Sequence, residues 1–160
     1  MIVSEKTLNG ILDQLDTDSA YHETLSDQFH KVFEDYFIYL EQEIFSILKA
    51  PEADLLLFIH YVVTEAYRKS DLSISAFELH SFFDMEEDMW AQYEEESKKG
   101  FRDRISPTFT KLDEEELLAF VEDLLLESSE EEEIQVSATG RDVIWNVSSA
   151  FIGIMKKRDD

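Results

Sequence analysis

His30 and Glu34 stand four residues apart, and His80 and Asp84 repeat that spacing. Four residues is about one helical turn, so each pair projects an imidazole and a carboxylate from the same helix face. Zinc, iron and manganese accept these ligand types, and two pairs on facing helices would complete a ligand set. A metal-dependent helical enzyme using His30, Glu34, His80 and Asp84 is therefore one expectation. Against it, no Glu is followed by His three residues later, so the Glu-x-x-His signature of di-iron bundles is missing. Acids are also so frequent, 37 of 160 residues, that two such pairs among 4 histidines arise readily from composition alone.

Other chemistry is sparser. His60 lies in the apolar run from Leu55 to Val63 with Thr64 one turn on, which predicts a buried, hydrogen-bonded ring. A catalytic role for it, with Glu65 and Tyr67 nearby, is the alternative. Asp71, Ser73 and Ser75 resemble the opening of a calcium loop, but Ala76 and Phe82 replace the glycine and glutamate that such a loop needs. The 4 glycines are scattered singly, which excludes a glycine-rich phosphate loop, and the absence of cysteine excludes thiolate ligands, a thiol nucleophile and disulfides. No cofactor is expected.

The charge balance is the most distinctive property. Against 14 basic residues stand 37 acidic ones, a formal net charge of −23. Such a surface repels nucleic-acid phosphate and anionic lipid and favours basic protein partners. The acids concentrate in two blocks, Glu78 to Glu96 and Asp113 to Glu133, and Glu86, Glu87 and Glu95 are the candidate partner-binding residues. The expected role is a non-catalytic, acidic helical interaction domain docking a basic partner, with a nucleic-acid-mimic inhibitor as a further alternative. The bland reading of the charge is solubility. Neither a secretory leader nor a membrane span is visible, since the longest unbroken apolar run is Leu55 to Ile59, so a cytoplasmic location is expected.

Positioning these residues falls to helices, because only 4 Gly and 2 Pro interrupt 160 residues. Apolar periodicity predicts a first helix over Ser4 to Leu15 and a long second over Ala20 to Leu48. A third starts near Pro51, is apolar all round and is expected to be central. A capping box at Ser75 to Glu78 opens a fourth that stops at Gly100. A loop around Ser106 and Pro107 precedes a fifth helix beginning with Asp113 to Glu116, and the like-charge run at 127–133 predicts a mobile acidic loop. Residues 134–148 fit either a small β-hairpin or a last helix capped by Thr139 and ending in Lys156, Lys157 and Arg158. Ser149 and Gly153 allow close helix approach, within the chain or in a homodimer anchored by Trp90 or Trp145.

The fold expected is thus an all-α, single-domain bundle of about six helices over residues 1–160, with enough aromatic bulk for one core: 12 Phe, 6 Tyr and 2 Trp. Far-UV circular dichroism is expected to report helix well above the one-third typical of globular domains, and a sheet-dominated spectrum would contradict the all-α reading.

Overall fold

The computed structural model describes residues 1–130 and 136–157, and among these it is helical with no strand. The elements are α1 (Glu5–Thr17), α2 (Tyr21–Val32), α3 (Glu34–Tyr39) with a π turn over Leu40–Ile44, α4 (Ala50–Lys69), α5 (Leu79–Glu95), α6 (Phe101–Leu112), α7 (Glu115–Glu130) and α8 (Ala138–Lys157). None of the described helices is long and apolar enough to cross a membrane.

Several elements start where the sequence placed them. The Ser4 hydroxyl accepts the Thr7 amide at 3.1 Å and caps α1. Pro51 sits in the first turn of α4, with Glu52 in that turn and Arg68 and Lys69 in the last. Two helices form the interior. α4 is buried from Ile59 to Tyr67, and α8 over a longer stretch, every residue from Val143 to Met155. α8 packs on α4, α5, α6 and α7, so the centre is shared and not held by α4 alone.

The expected long second helix is divided. Residues four apart drift by about 40° around a regular helix, so a stripe spaced mostly by fours cannot keep facing one core along a straight rod. Phe33 leaves helical geometry at φ −111° and ψ 42°, and the π turn closes with the Phe45 amide on the Leu40 carbonyl at 2.8 Å. Both devices rephase the stripe, which leaves Phe29, Phe33, Tyr36, Leu40 and Ile44 all buried. Ile47, beyond the rephased stretch, is 55% exposed.

Four further expectations are corrected. The segment around Pro107 is not a loop but lies inside α6, where Phe101 and Phe109 pack on Trp145 with ring centroids 6.0 Å away; this burial outweighs the hydrogen bond that proline removes. Ser75 is not the N-cap of α5, which begins at Leu79 with Glu78 in the capping position, and Phe77, ahead of it, packs against Phe33, Tyr36 and Phe151. The β-hairpin is absent too: residues 138–148 are helical, and 134–135 lie outside the described residues. Of the acidic run expected as a mobile loop, 127–130 continue α7 and 131–133 lie outside the described residues.

What starts α8 is a buried carboxylate. Glu52, 1% exposed, accepts the Lys49 amide at 2.9 Å and both the amide and hydroxyl of Ser137 at 2.8 Å. Burial raises its pKa, but these donors outweigh burial and hold it below the ordinary glutamate value. The Ser137 hydroxyl also accepts the Gly140 amide at 3.0 Å, so Ser137, not Thr139, caps the helix. Gly140 is needed for close approach, since a Cβ there would lie 2.1 Å from Glu52 Oε2.

The same chemical change at two glycines should therefore act with opposite signs. Gly140→Ala, by pushing Glu52 off its donors, is expected to destabilise the fold by about 2 kcal/mol even after the gain in helix propensity. Gly10→Ala, inside α1 with nothing within 4 Å of the new methyl, is expected to stabilise it by about 0.5–1 kcal/mol. Urea unfolding of both variants checks the pair; equal effects at the two positions would contradict it.

Candidate functional site

The histidine–carboxylate pairs do not come together. His30 lies in the last turn of α2 and Glu34 opens α3, so the non-helical Phe33 interrupts the single helix on which the pair was expected. His30 Nε2 is hydrogen-bonded to the Tyr61 hydroxyl at 2.9 Å, and its ring meets Phe37 edge-on at 4.3 Å. Burial lowers its pKa, against the opposing charges of Asp27 and Glu41. His80 and Asp84 do pair, at 3.5 Å, but on an open surface of α5 with side chains 83% and 66% exposed. Among the described residues no group of three or more His, Asp or Glu side chains converges as a metal site.

His60 is fully buried and held at both nitrogens. Nδ1 faces the Leu56 carbonyl at 2.8 Å, an acceptor only, so the proton resides on Nδ1. Nε2 must then accept from the Tyr36 hydroxyl, at 2.7 Å. Phe151 covers the ring at 4.5 Å and Phe29 flanks it at 5.8 Å. Burial pushes the His60 pKa down to about 4, with the Leu56 carbonyl opposing. The ring is thus a neutral pin between α3 and α4, enclosed in aromatic carbon. Of its neighbours, Glu65 accepts from Tyr21 and from Arg68, both at 2.5 Å, while the Tyr67 hydroxyl is buried and has no hydrogen-bond partner among the described residues.

The acidic candidates divide by burial. Glu86 is half-buried and accepts from the Tyr39 hydroxyl at 3.1 Å; burial raises its pKa, with Tyr39 opposing. Glu87 and Glu95 are exposed and unpaired among the described residues. Periodicity could not separate Glu86 from its neighbours, because the Tyr39 that recruits it comes from α3.

Sequence reasoning missed a groove of about 360 Å³ between α1, α4 and α7. Its floor is Leu12, Leu15, Phe58, Phe120 and Leu124, and its rim is Asp16, Asp123 and Glu127. The only signal available beforehand was that Asp123 and Glu127 lie in the second acidic block. A second cavity, of about 310 Å³, gathers Lys111, Lys156 and Lys157 over Met85 and Leu112. Lys156 there already donates to the Asp113 carbonyl at 2.6 Å and lies 3.8 Å from the buried Glu114, which makes it a brace between α6, α7 and α8.

Of the residues named for a homodimer contact, Trp90 is half-buried and the others pack within the chain. Trp145 is 1% exposed and Ser149 is buried. Gly153 receives α5, since a Cβ there would lie 3.0 Å from Met85 Sδ. No family model matches the chain, and no curated protein or solved structure matches it.

The His60 environment fixes a pH dependence. The folded pKa of about 4 lies below the ordinary 6.5, so between these values the unfolded chain binds a proton that the folded chain refuses. The stabilisation is complete above pH 6.5 and is lost as pH falls to 4, a contribution of about 3 kcal/mol. Urea unfolding over that range should show wild type losing about this much more stability than His60→Asn, which keeps every carboxylate and every other histidine unchanged. Parallel pH profiles would contradict the assignment.

Proposed function

We propose that this chain is a non-catalytic, acidic helical domain of the cytoplasm whose exposed carboxylates dock a basic protein partner. One observation carries the reading. Glu87, Asp88 and Glu95 of α5 and Glu115, Asp123 and Glu127 of α7 are exposed, and none has an ion-pair partner among the described residues. Like charges crowded on two helices repel one another and disfavour the free protein. A cationic partner removes that repulsion and is drawn in by it, so charge of this kind acts first on the rate of encounter.

Glu86 takes no part in the docking face on this reading, because its carboxylate holds Tyr39. The test therefore reverses Glu87 and Glu95 alone. Affinity capture from host lysate at low and high salt should recover basic proteins at low salt only, since exposed charges are screened over about 10 Å at 0.1 M. With a recovered partner, Glu87→Lys combined with Glu95→Lys is expected to lower the association rate about tenfold while folding stability moves by about 0.5 kcal/mol or less. Partners that are not basic, or a rate unmoved by the reversal, would sink the proposal.

A further inference from the structure

We infer that the groove between α1, α4 and α7 seats a basic amphipathic helix of the partner, with its apolar side chains on Leu15, Phe58 and Leu124 and its cations on Asp16, Asp123 and Glu127. This rests on the acidic-docking reading and names the segment that would be docked.

The floor supplies the first argument. Leu15, Phe58 and Leu124 come from three different helices and are packed against the core, yet each remains only half-buried. Phe58 lies between the stacked ring of His22 at 6.4 Å and Phe120 at 6.3 Å, so it forms a flat apolar base already in place. Covering it removes apolar surface from water without any unfolding. The rim supplies the second. Asp16 stands on the α1 wall, and Asp123 and Glu127 stand one turn apart on the α7 wall; all three are exposed and without an ion-pair partner among the described residues. Carboxylates on both walls of an apolar floor complement a helix whose apolar stripe is flanked on both sides by Lys or Arg.

The fold itself selects the mode of recognition. Adding a strand needs a free sheet edge, and the described residues contain no strand. Anchors spaced by three and four residues, laid into a groove between helices, are the mode that suits an apolar floor with carboxylates on both walls. Repulsion from the three carboxylates turns away acidic peptides, and the apolar floor turns away purely hydrophilic polycations, which would bind only by the diffuse field.

The experiment titrates an amphipathic helical peptide, with leucines at three- and four-residue spacing and lysines on both flanks, into the full-length, isotope-labelled chain. Amide shifts should cluster at Leu12 to Asp16, around Phe58, and from Phe120 to Glu127, and binding should weaken at least tenfold between about 0.05 and 0.5 M salt. Leu15→Gln with Leu124→Gln should weaken binding about tenfold or more, and Asp123→Lys with Glu127→Lys by a similar factor. Should the floor variant prove unstable, the shift map on the wild-type chain decides alone. Salt-sensitive binding with shifts centred on Glu87 and Glu95, and no effect of the floor variant, would overturn the groove while leaving the acidic-docking reading intact. No binding at low salt, or equal binding of a glutamate-flanked peptide, would overturn both. Sedimentation showing a dimer that the floor variant abolishes would assign the groove to a second copy of the chain and overturn the inference.

Discussion

From Val143 to Met155 every side chain of α8 is buried, and a helix apolar on all sides has to be covered on all sides. That requirement organises the rest of the molecule. α4, α5, α6 and α7 each take a share of the α8 surface. The residue sizes along α8 set how closely each can come. Gly153 admits Met85 of α5, while Trp145 fills the space under α6 and Phe151 reaches the rings of Phe33, Tyr36 and His60. Close packing of this kind converts burial of apolar area into a single arrangement, because side chains of different size fit only one set of neighbours.

Covering a helix completely also encloses charged groups, and a buried carboxylate is costly unless it is hydrogen-bonded where it lies. Glu52, Glu65 and Glu114 are all 1% exposed or less. Each resolves its burial by taking donors from a distant segment. Glu52 takes Ser137, Glu65 takes Tyr21, and Glu114 takes the Ile2 and Val3 amides at 2.7 and 3.3 Å. The three carboxylates thereby act as crosslinks that tie chain segments together, and His60 does the same between Leu56 and Tyr36. Removing one partner from such a site leaves an uncompensated buried charge or dipole, which costs far more than the bond itself contributes.

Most of the remaining acids face water, and there they leave the fold strongly charged and the groove between α1, α4 and α7 rimmed by one sign of charge. Three of them, Asp16, Asp123 and Glu127, border half-buried leucine and phenylalanine side chains. On the proposed reading, apolar area would supply affinity and charge would supply direction for a cationic amphipathic segment.

Much of the fold was legible beforehand because its signals are local. Helix starts at Ser4 and Pro51, the burial of the run from Leu55 to Val63 and the paired His60 follow from capping, proline geometry and apolar spacing. What tertiary structure decided are the places where a distant partner outweighs a local preference. Pro107 reads as a loop until Trp145 is packed against α6, and the stripe from Leu25 to Ile47 reads as one helix until the core requires it to be rephased at Phe33 and at the π turn. The candidate site was less legible still. His30 and Glu34 share a face only on an unbroken helix, and Glu86 becomes a structural acceptor only because Tyr39 arrives from α3. The groove could not be read at all, since its floor is assembled from three helices far apart in the chain, and no spacing within one helix records which neighbours will leave a surface uncovered.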